Sequence, residues 1–191
     1  MSEPLDRFSA WFREAEEAGV AFPEVMTLAT ATADGAPSAR MVLLKGADED
    51  GFVFYTGYGS RKADELAANP RAALVLYWQP LGRQVRVEGN VERVSEAESA
   101  VYFASRPRGS QLAAWASQQS RPLESRDELE RRYAELEREY EGRQVPLPPH
   151  WGGFRLRPNA IEFWQHRDNR LHDRVRYTRA REGWRAEVLS P

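Results

Sequence analysis

Leu5, Phe8, Phe12 and Ala15 recur at spacings of three, four and three, which puts them on one face of a helix that Gly19 ends. From Met26 the period changes to that of strands. "MTLATAT", the turn "ADGAP" and "SARMVLLK" predict a hairpin, and "ADEDG" turns into "FVFYT", a second pairing. "AALVLYW" and "RQVRVEGNVERV" predict further strands; in the latter, Val85, Val87 and Val91 oppose Gln84, Arg86 and Glu88. Helical patterning returns at "SEAESAVYFASRP" and "LERRYAELEREYEG". Each follows a serine with glutamate three residues on (Ser95 and Glu98, Ser125 and Glu128), the spacing of a capping box. In the second, Leu129, Tyr133, Leu136 and Tyr140 form an apolar stripe on a charged helix, which reads as scaffold. "PLPP" at 146–149 is a stiff connector. Beyond it "GFRLRP", "AIEFWQ", "NRLHDRVRY" and "GWRAEVL" read as strands, with "REG" turning between the last two.

Short strands with hairpin turns and no βαβ rhythm predict a mainly β, antiparallel fold with flanking helices, α+β in class: a barrel or a sandwich. One domain is expected over 1–191, with a helix in 1–20 and the strands of 150–191 returning to the same sheet system. The 191 residues, 41% hydrophobic, suffice for a sizeable core. A net charge of −2 gives no global pull toward nucleic acid or membrane. The absence of cysteine excludes disulfides, thiolate catalysis and zinc–thiolate sites. The charged, amphipathic start has no signal-peptide core and no stretch can span a bilayer, so a soluble, cytoplasmic protein is expected. His150, His166 and His172 lack metal-ligand spacing, and no hydrolase or nucleotide-loop motif occurs.

Only two of the 27 basic residues are lysine, Lys45 and Lys62; the rest are arginine. Both lysines fall in segments that could bind anions. "TGYGSRKADELAANP" predicts a helix capped by Ser60 that begins Arg61–Lys62. Cations are unfavourable at the positive end of a helix by about 0.3–1 kcal/mol each, and a bound phosphate reverses that sign. In "RMVLLK", Arg40, Val42 and Leu44 share one face while Met41, Leu43 and Lys45 share the other. Apolar strand surface flanked by cations suits a flat ring carrying phosphate; a buried strand with snorkelling ends fits equally well. Tyr102, Arg106 and Ser110 recur every four residues and could hold a second phosphate, although Pro107 interrupts regular helix. Finally, alternation along "NRLHDRVRY" puts Arg170, His172, Arg174 and Arg176 in one row. Such a row is either a solvated strand face or a set of groups beneath something negative.

These segments resemble the pyridoxamine 5′-phosphate oxidase family. The resemblance runs from Phe22 to Pro191 and rests on "RMVLLK", "FVFYTGYGSRKA", "RQVRVEG", "YFASRPRGSQLAAWASQQS", "PLPPHWGGFRL", "IEFWQ" and "RLHDR", in that order. It implies an FMN-binding split β-barrel that forms a homodimer with FMN at the interface. The implied reaction oxidises pyridoxamine or pyridoxine 5′-phosphate to pyridoxal 5′-phosphate, with O2 as acceptor and H2O2 released. The implied FMN contacts are Arg40, Met41, Val42, Leu43, Leu44, Lys45, Tyr55, Thr56, Arg61, Lys62, Gln84, Gln119, Ser120, Trp164 and Arg174. The implied substrate contacts are Lys45, Tyr102, Arg106, Ser110, Arg170, Leu171 and His172, with Arg170 and His172 over the reacting face as the catalytic pair. Two alternatives remain: a related flavin oxidase of the phenazine-biosynthesis type, and a flavin- or pyridoxal-phosphate-binding protein without turnover. The first helix starts within a few residues of Met1, whereas family members often have a longer polar segment there that helps to cover the substrate.

Overall fold

The computed structural model describes residues 3–191. Helix α1 (Glu3–Glu17) buries Leu5, Phe8, Trp11 and Ala15 and packs Phe12 at the margin of the core. Its aromatic rings dock edge-on: Phe8 on Phe52 at 4.9 Å and Trp11 on Phe163 at 5.2 Å between centroids.

Among the described residues there are nine strands: β1 (Val25–Ala31), β2 (Pro37–Leu43), β3 (Gly46–Asp48), β4 (Gly51–Gly57), β5 (Arg71–Trp78), β6 (Arg83–Arg93), β7 (Trp151–Gln165), β8 (Asp173–Arg179) and β9 (Trp184–Val188); β3 falls where only a turn was expected, and it, not β2, pairs with the start of β4. They form one antiparallel sheet ordered β2-β1-β5-β6-β7-β4-β3, with β8 and β9 continuing from the second half of β7. The sheet curls into a half-barrel. Period-two alternation decides which side faces inward. Met26, Leu28, Leu74, Leu76, Val85, Val87, Ile161 and Phe163 are buried together, while Arg86 and Glu88 face out. Helix α2 (Arg61–Ala68) follows β4. Helices α3 (Glu96–Ser105), α4 (Arg108–Ala116) and α5 (Arg126–Glu139) lie between β6 and β7 in the chain. Their apolar stripes close a second cluster around Phe103, Leu112, Val145 and Trp151, against which Tyr133, Leu136 and Tyr140 pack. Both serine caps form: Ser95 Oγ accepts from the Glu98 N–H at 3.0 Å and Ser125 Oγ from the Glu128 N–H at 3.1 Å.

Two further expectations are corrected. "GFRLRP" and "AIEFWQ" are a single 15-residue strand, β7, that runs through Pro158. Proline is tolerated because β7 itself bulges there: Asn159 is the extra residue between Pro158, which pairs with Gly89, and Ala160, which pairs with Glu88. The close approach needs glycine: a Cβ on Gly89 would sit 2.0 Å from the Arg157 carbonyl oxygen. Secondly, "NRLHDRVRY" is not one strand. β8 starts at Asp173, and Asp168–Arg170 form a short 3-10 turn with Asn169 and Arg170 in left-handed backbone (φ 54° and 62°). Left-handed residues break the pleat, so Arg170 and His172 leave the row, and only Arg174 and Arg176 share a strand face.

Replacing Gly89 with alanine should lower stability by about 1–3 kcal/mol, because the strands must separate at the bulge. Gly59→Ala, whose added Cβ meets nothing within 4 Å, is the control. Thermal unfolding of both variants checks this; equal midpoints would contradict it.

Candidate functional site

β2 is an edge strand, and its outward side chains are apolar: Met41 is 60% and Leu43 43% exposed. Arg40 and Val42 point the other way and are half-buried. The end of β4, the start of α2 and the end of α3 approach this strand and enclose a cleft of about 640 Å³. Its walls are residues 38–43 and Lys45, Tyr55 and Thr56 from β4, Arg61 and Lys62 from α2, Tyr102 and Arg106, Gln119 and Ser120, and Trp151.

One end of the cleft is cationic and organised around a buried carboxylate. Glu65, 4% exposed, accepts from Ser38 Oγ (2.6 Å), Arg40 Nη2 (3.0 Å), Arg61 Nε (2.8 Å) and the Thr30 hydroxyl. Burial pushes its carboxyl up, but the bonds from Ser38, Thr30, Arg61 and Arg40 outweigh that and hold it at about 2. Lys62, 6% exposed, donates to Thr56 Oγ1 (3.0 Å) and Ser60 Oγ (3.3 Å). Burial and the nearby Arg40 charge lower its ammonium to about 8, against the opposing pull of Glu65. Thr56 Oγ1 in turn donates to Gln119 Oε1 (2.7 Å), which also accepts from the Gly57 N–H (3.0 Å). Ser60 occupies the cap position of α2 but makes no side-chain cap bond, since its hydroxyl serves Lys62 instead.

The other end is aromatic. Tyr55 and Tyr102 stack at 4.0 Å, and Trp151 lies nearly parallel to both. Burial pushes the Tyr55 hydroxyl up to about 12, so it remains a neutral donor. The Arg106 guanidinium lies 4.6 Å from the Trp151 ring centre, and burial lowers its pKa. Its Nη1 is buried without a hydrogen-bond partner. A buried donor left unpaired costs about 1–3 kcal/mol, which an anionic ligand group would relieve. The cleft therefore combines a cationic cluster of Arg40, Arg61 and Lys62 with a second cation, Arg106, set against aromatic rings, and the side chains of β2 line it as well.

Most of the residues picked out from sequence meet here: Arg40, Met41, Val42, Leu43, Lys45, Tyr55, Thr56, Arg61, Lys62, Tyr102, Arg106, Gln119 and Ser120. Leu44 does not. The strand ends at Leu43, and Leu44 turns into the core as its N–H bonds the Glu24 carbonyl. Ser110 lies in α4 and does not line the cleft, because the helix breaks at Arg106–Pro107 and the four-residue register is lost. Gln84, Trp164, Arg170, Leu171, His172 and Arg174 lie outside it as well. Gln84, Trp164 and Arg174 pair across β6, β7 and β8 on the outward sheet face, and Arg174 donates to Glu162 at 2.8 Å. An unbroken row of paired residues on that face runs Met41, Thr27, Val75, Arg86, Glu162, Arg176. Met41 and Arg176 are five strand spacings apart, roughly 24 Å along the sheet. His172 Nδ1 accepts from the Arg167 N–H (3.1 Å), and its ring lies 4.5 Å from that of Trp164. The sequence patterns did not single out Ser38, Ala39, Trp151 or Glu65. Glu65 had one visible signal, its position four residues after Arg61.

A family model described as pyridoxamine 5′-phosphate oxidase matches residues 12–139, and one described as pyridoxine 5′-phosphate oxidase C-terminal dimerisation region matches 151–191. A pyridoxine/pyridoxamine 5′-phosphate oxidase of Rubrobacter xylanophilus is 65% identical over 189 residues, covering 99% of this chain and 87% of that protein. One from Bordetella pertussis is 57% identical over 191 residues, covering 100% and 90%. Among solved structures, PhzG from Burkholderia lata, in complex with tetrahydrophenazine-1-carboxylic acid, is similar at a TM-score of 0.95 and 35% identity, covering 100% of this chain and 94% of that one. A pyridoxamine 5′-phosphate oxidase-related, FMN binding protein from Nostoc punctiforme has the same fold, at a TM-score of 0.80 and 19% identity, with 100% of both chains covered.

If the cationic end of the cleft binds an anion, Lys62 should make that binding pH-dependent with a definite sign. Its ammonium is charged below about 8 and loses its proton above it, so affinity is full below that pH and falls as pH rises through it. Sulfate, whose charge is constant over this range, should bind progressively more weakly above pH 8 in isothermal titration. Lys62→Met should bind it more weakly and with a flat profile.

Proposed function

The chain belongs to the pyridoxamine 5′-phosphate oxidase family, and on that premise we propose that it uses FMN to oxidise pyridoxamine or pyridoxine 5′-phosphate to pyridoxal 5′-phosphate. O2 is the final acceptor and H2O2 the by-product. The observation that carries this reading is the pair of cationic positions in one cleft, one of them holding a buried guanidinium N–H with no partner. Two phosphate monoesters, one on the cofactor and one on the substrate, meet that demand.

The donor set fits FMN. Arg40, Arg61 and Lys62 would take its phosphate, and the exposed apolar side of β2 with Tyr55 would face its ring. Bound FMN supplies the two-electron acceptor that carries electrons from substrate to O2. The chain supplies binding and placement. Lys45, Tyr102 and Arg106 hold the substrate phosphate at the aromatic end, and the Tyr102 and Trp151 rings shield it from water. Arg170 orients the reacting carbon and steadies charge there, and His172 assists by hydrogen bonding. Left-handed backbone at a non-glycine residue costs about 1–3 kcal/mol, and such strain clusters at functional sites. Arg170 carries it, at φ 62°.

In the same proposal the functional unit is a homodimer, and each site takes Arg170, His172, Arg174, Trp164 and Gln84 from the second copy. Support for a second copy as their source is that none of these five residues lines the cleft that gathers Arg40, Lys62 and Arg106. The outward sheet face also exposes Met41, Leu43 and Tyr77. β7 ladders onto both β4 and β6, and β8 and β9 continue from it, which supports one domain spanning both matched regions.

The likeness to PhzG supports a second reading, oxidation of a tricyclic acid in place of a pyridine phosphate. Peroxide release with pyridoxine 5′-phosphate but not with a dihydrophenazine carboxylate would favour the first reading; the reverse would favour the second.

Arg170→Ala should lower kcat while FMN stays bound, and Arg106→Ala should raise KM for the phosphorylated substrate. Assayed at substrate below the raised KM, where both variants are impaired, a mixture allowed to exchange subunits should restore about one quarter of wild-type activity, because half the dimers carry one intact site. No recovery would place both arginines in one chain's site.

A further inference from the structure

We infer that Glu65 is a positioning residue for the cofactor phosphate: it fixes Arg40 and Arg61 in their binding orientations before the anion arrives. This rests on the reading that the cationic end of the cleft takes the FMN phosphate.

The geometry supports the role in three ways. Glu65 is the buried acid between β1, β2 and α2, and it takes donors from all three: Thr30, Ser38 and Arg40, and Arg61. Arg61 is 65% exposed, so without Glu65 its long side chain would sample many rotamers and lose that freedom on binding. Arg40 is held on both arms: Nη1 bonds the Leu28 carbonyl (3.2 Å) and the Thr30 hydroxyl, and Nη2 bonds Ser38 Oγ (2.6 Å) and Glu65. With Lys62, three cations and one carboxylate leave two positive charges in excess, which matches a phosphate monoester carrying about −1.5 to −2 at neutral pH.

Two effects oppose each other when the carboxylate is removed. Losing a negative charge near the phosphate strengthens attraction, and losing the fixed guanidiniums weakens binding. The inference is that fixation wins, because the charge-assisted bonds are short and buried while Arg61 faces solvent.

The experiment titrates apo-protein with FMN by flavin fluorescence quenching from pH 6.5 to 9.5. Glu65→Gln should weaken FMN about tenfold or more at pH 7. The pH at which affinity falls should also move below the wild-type value of about 8. The charges acting on Lys62 are Arg40 from β2, which depresses it, and Glu65 on its own helix, which raises it; Thr56 and Ser60 are its neutral acceptors. A role confined to stability would not shift that midpoint. Glu65→Asp, which keeps the charge, should restore most of the midpoint. Thr30→Val covers the case in which Glu65→Gln fails to fold: Thr30 does not line the cleft, and its loss should weaken FMN severalfold through Arg40 and Glu65 alone. Unchanged or tighter FMN binding in either variant overturns the inference and leaves the functional reading intact. Wild-type protein that fails to bind FMN overturns both.

Discussion

Arg40, Arg61 and Lys62 crowd one corner of a folded chain, and like charges there repel. A buried carboxylate offsets part of the repulsion through four hydrogen bonds, and the remaining positive charge is available to an anion. The other features of the site are arranged around this constraint. The corner sits where an edge strand meets a helix start, so backbone, guanidinium and ammonium donors converge. Lys62 is one of two lysines in a chain that otherwise uses arginine, and it is the cation with the least room. A compact ammonium reaching both Thr56 and Ser60 fits where a planar guanidinium would need more space.

The fold puts the cleft and the arginine-rich strands of the C-terminal region on different parts of its surface. α1 and the aromatic core close the inside of the half-barrel, which leaves the outward face of the sheet and the β2 edge free to carry function. The outward face alternates apolar and charged patches, with Met41, Leu43 and Tyr77 toward one end and the Arg86, Glu88, Glu162, Arg174 and Arg176 ion pairs toward the other. Apolar area and paired charge on one sheet face suit an interface between copies better than bulk solvent.

Much of this was legible from residue patterns. Alternating valines in "RQVRVEG" gave the strand and its inward side, and the Ser95 and Ser125 caps appeared where serine and glutamate stood three apart. "RMVLLK" and "SRKA" identified the cleft because their residue types are conspicuous: apolar strand positions bounded by cations, and cations at a helix start where they are locally unfavourable. What escaped was set by tertiary context. Pro158 reads as a strand end until the assembled sheet shows a bulge at Asn159 beside it, with Gly89 opposite the proline. Period-two alternation cannot reveal that Asn169 and Arg170 adopt left-handed backbone, so the arginine row looked continuous. Glu65 on a charged helix reads as a solvated acid, because burial against β1 and β2 is a property of the assembled fold. The family resemblance alone supplied Gln84 and Trp164, which no local pattern in this chain marks, whereas alternation had already put Arg174 in the row of cations.

The central claim is that a phosphate group anchors the flavin in this corner, and its most direct test compares FMN with riboflavin, which lacks only that phosphate. Apo-protein titrated with each at pH 7 should bind FMN at least about a hundredfold more tightly, as expected for several charge-assisted bonds to one anion. Equal affinity for the two flavins would contradict the account.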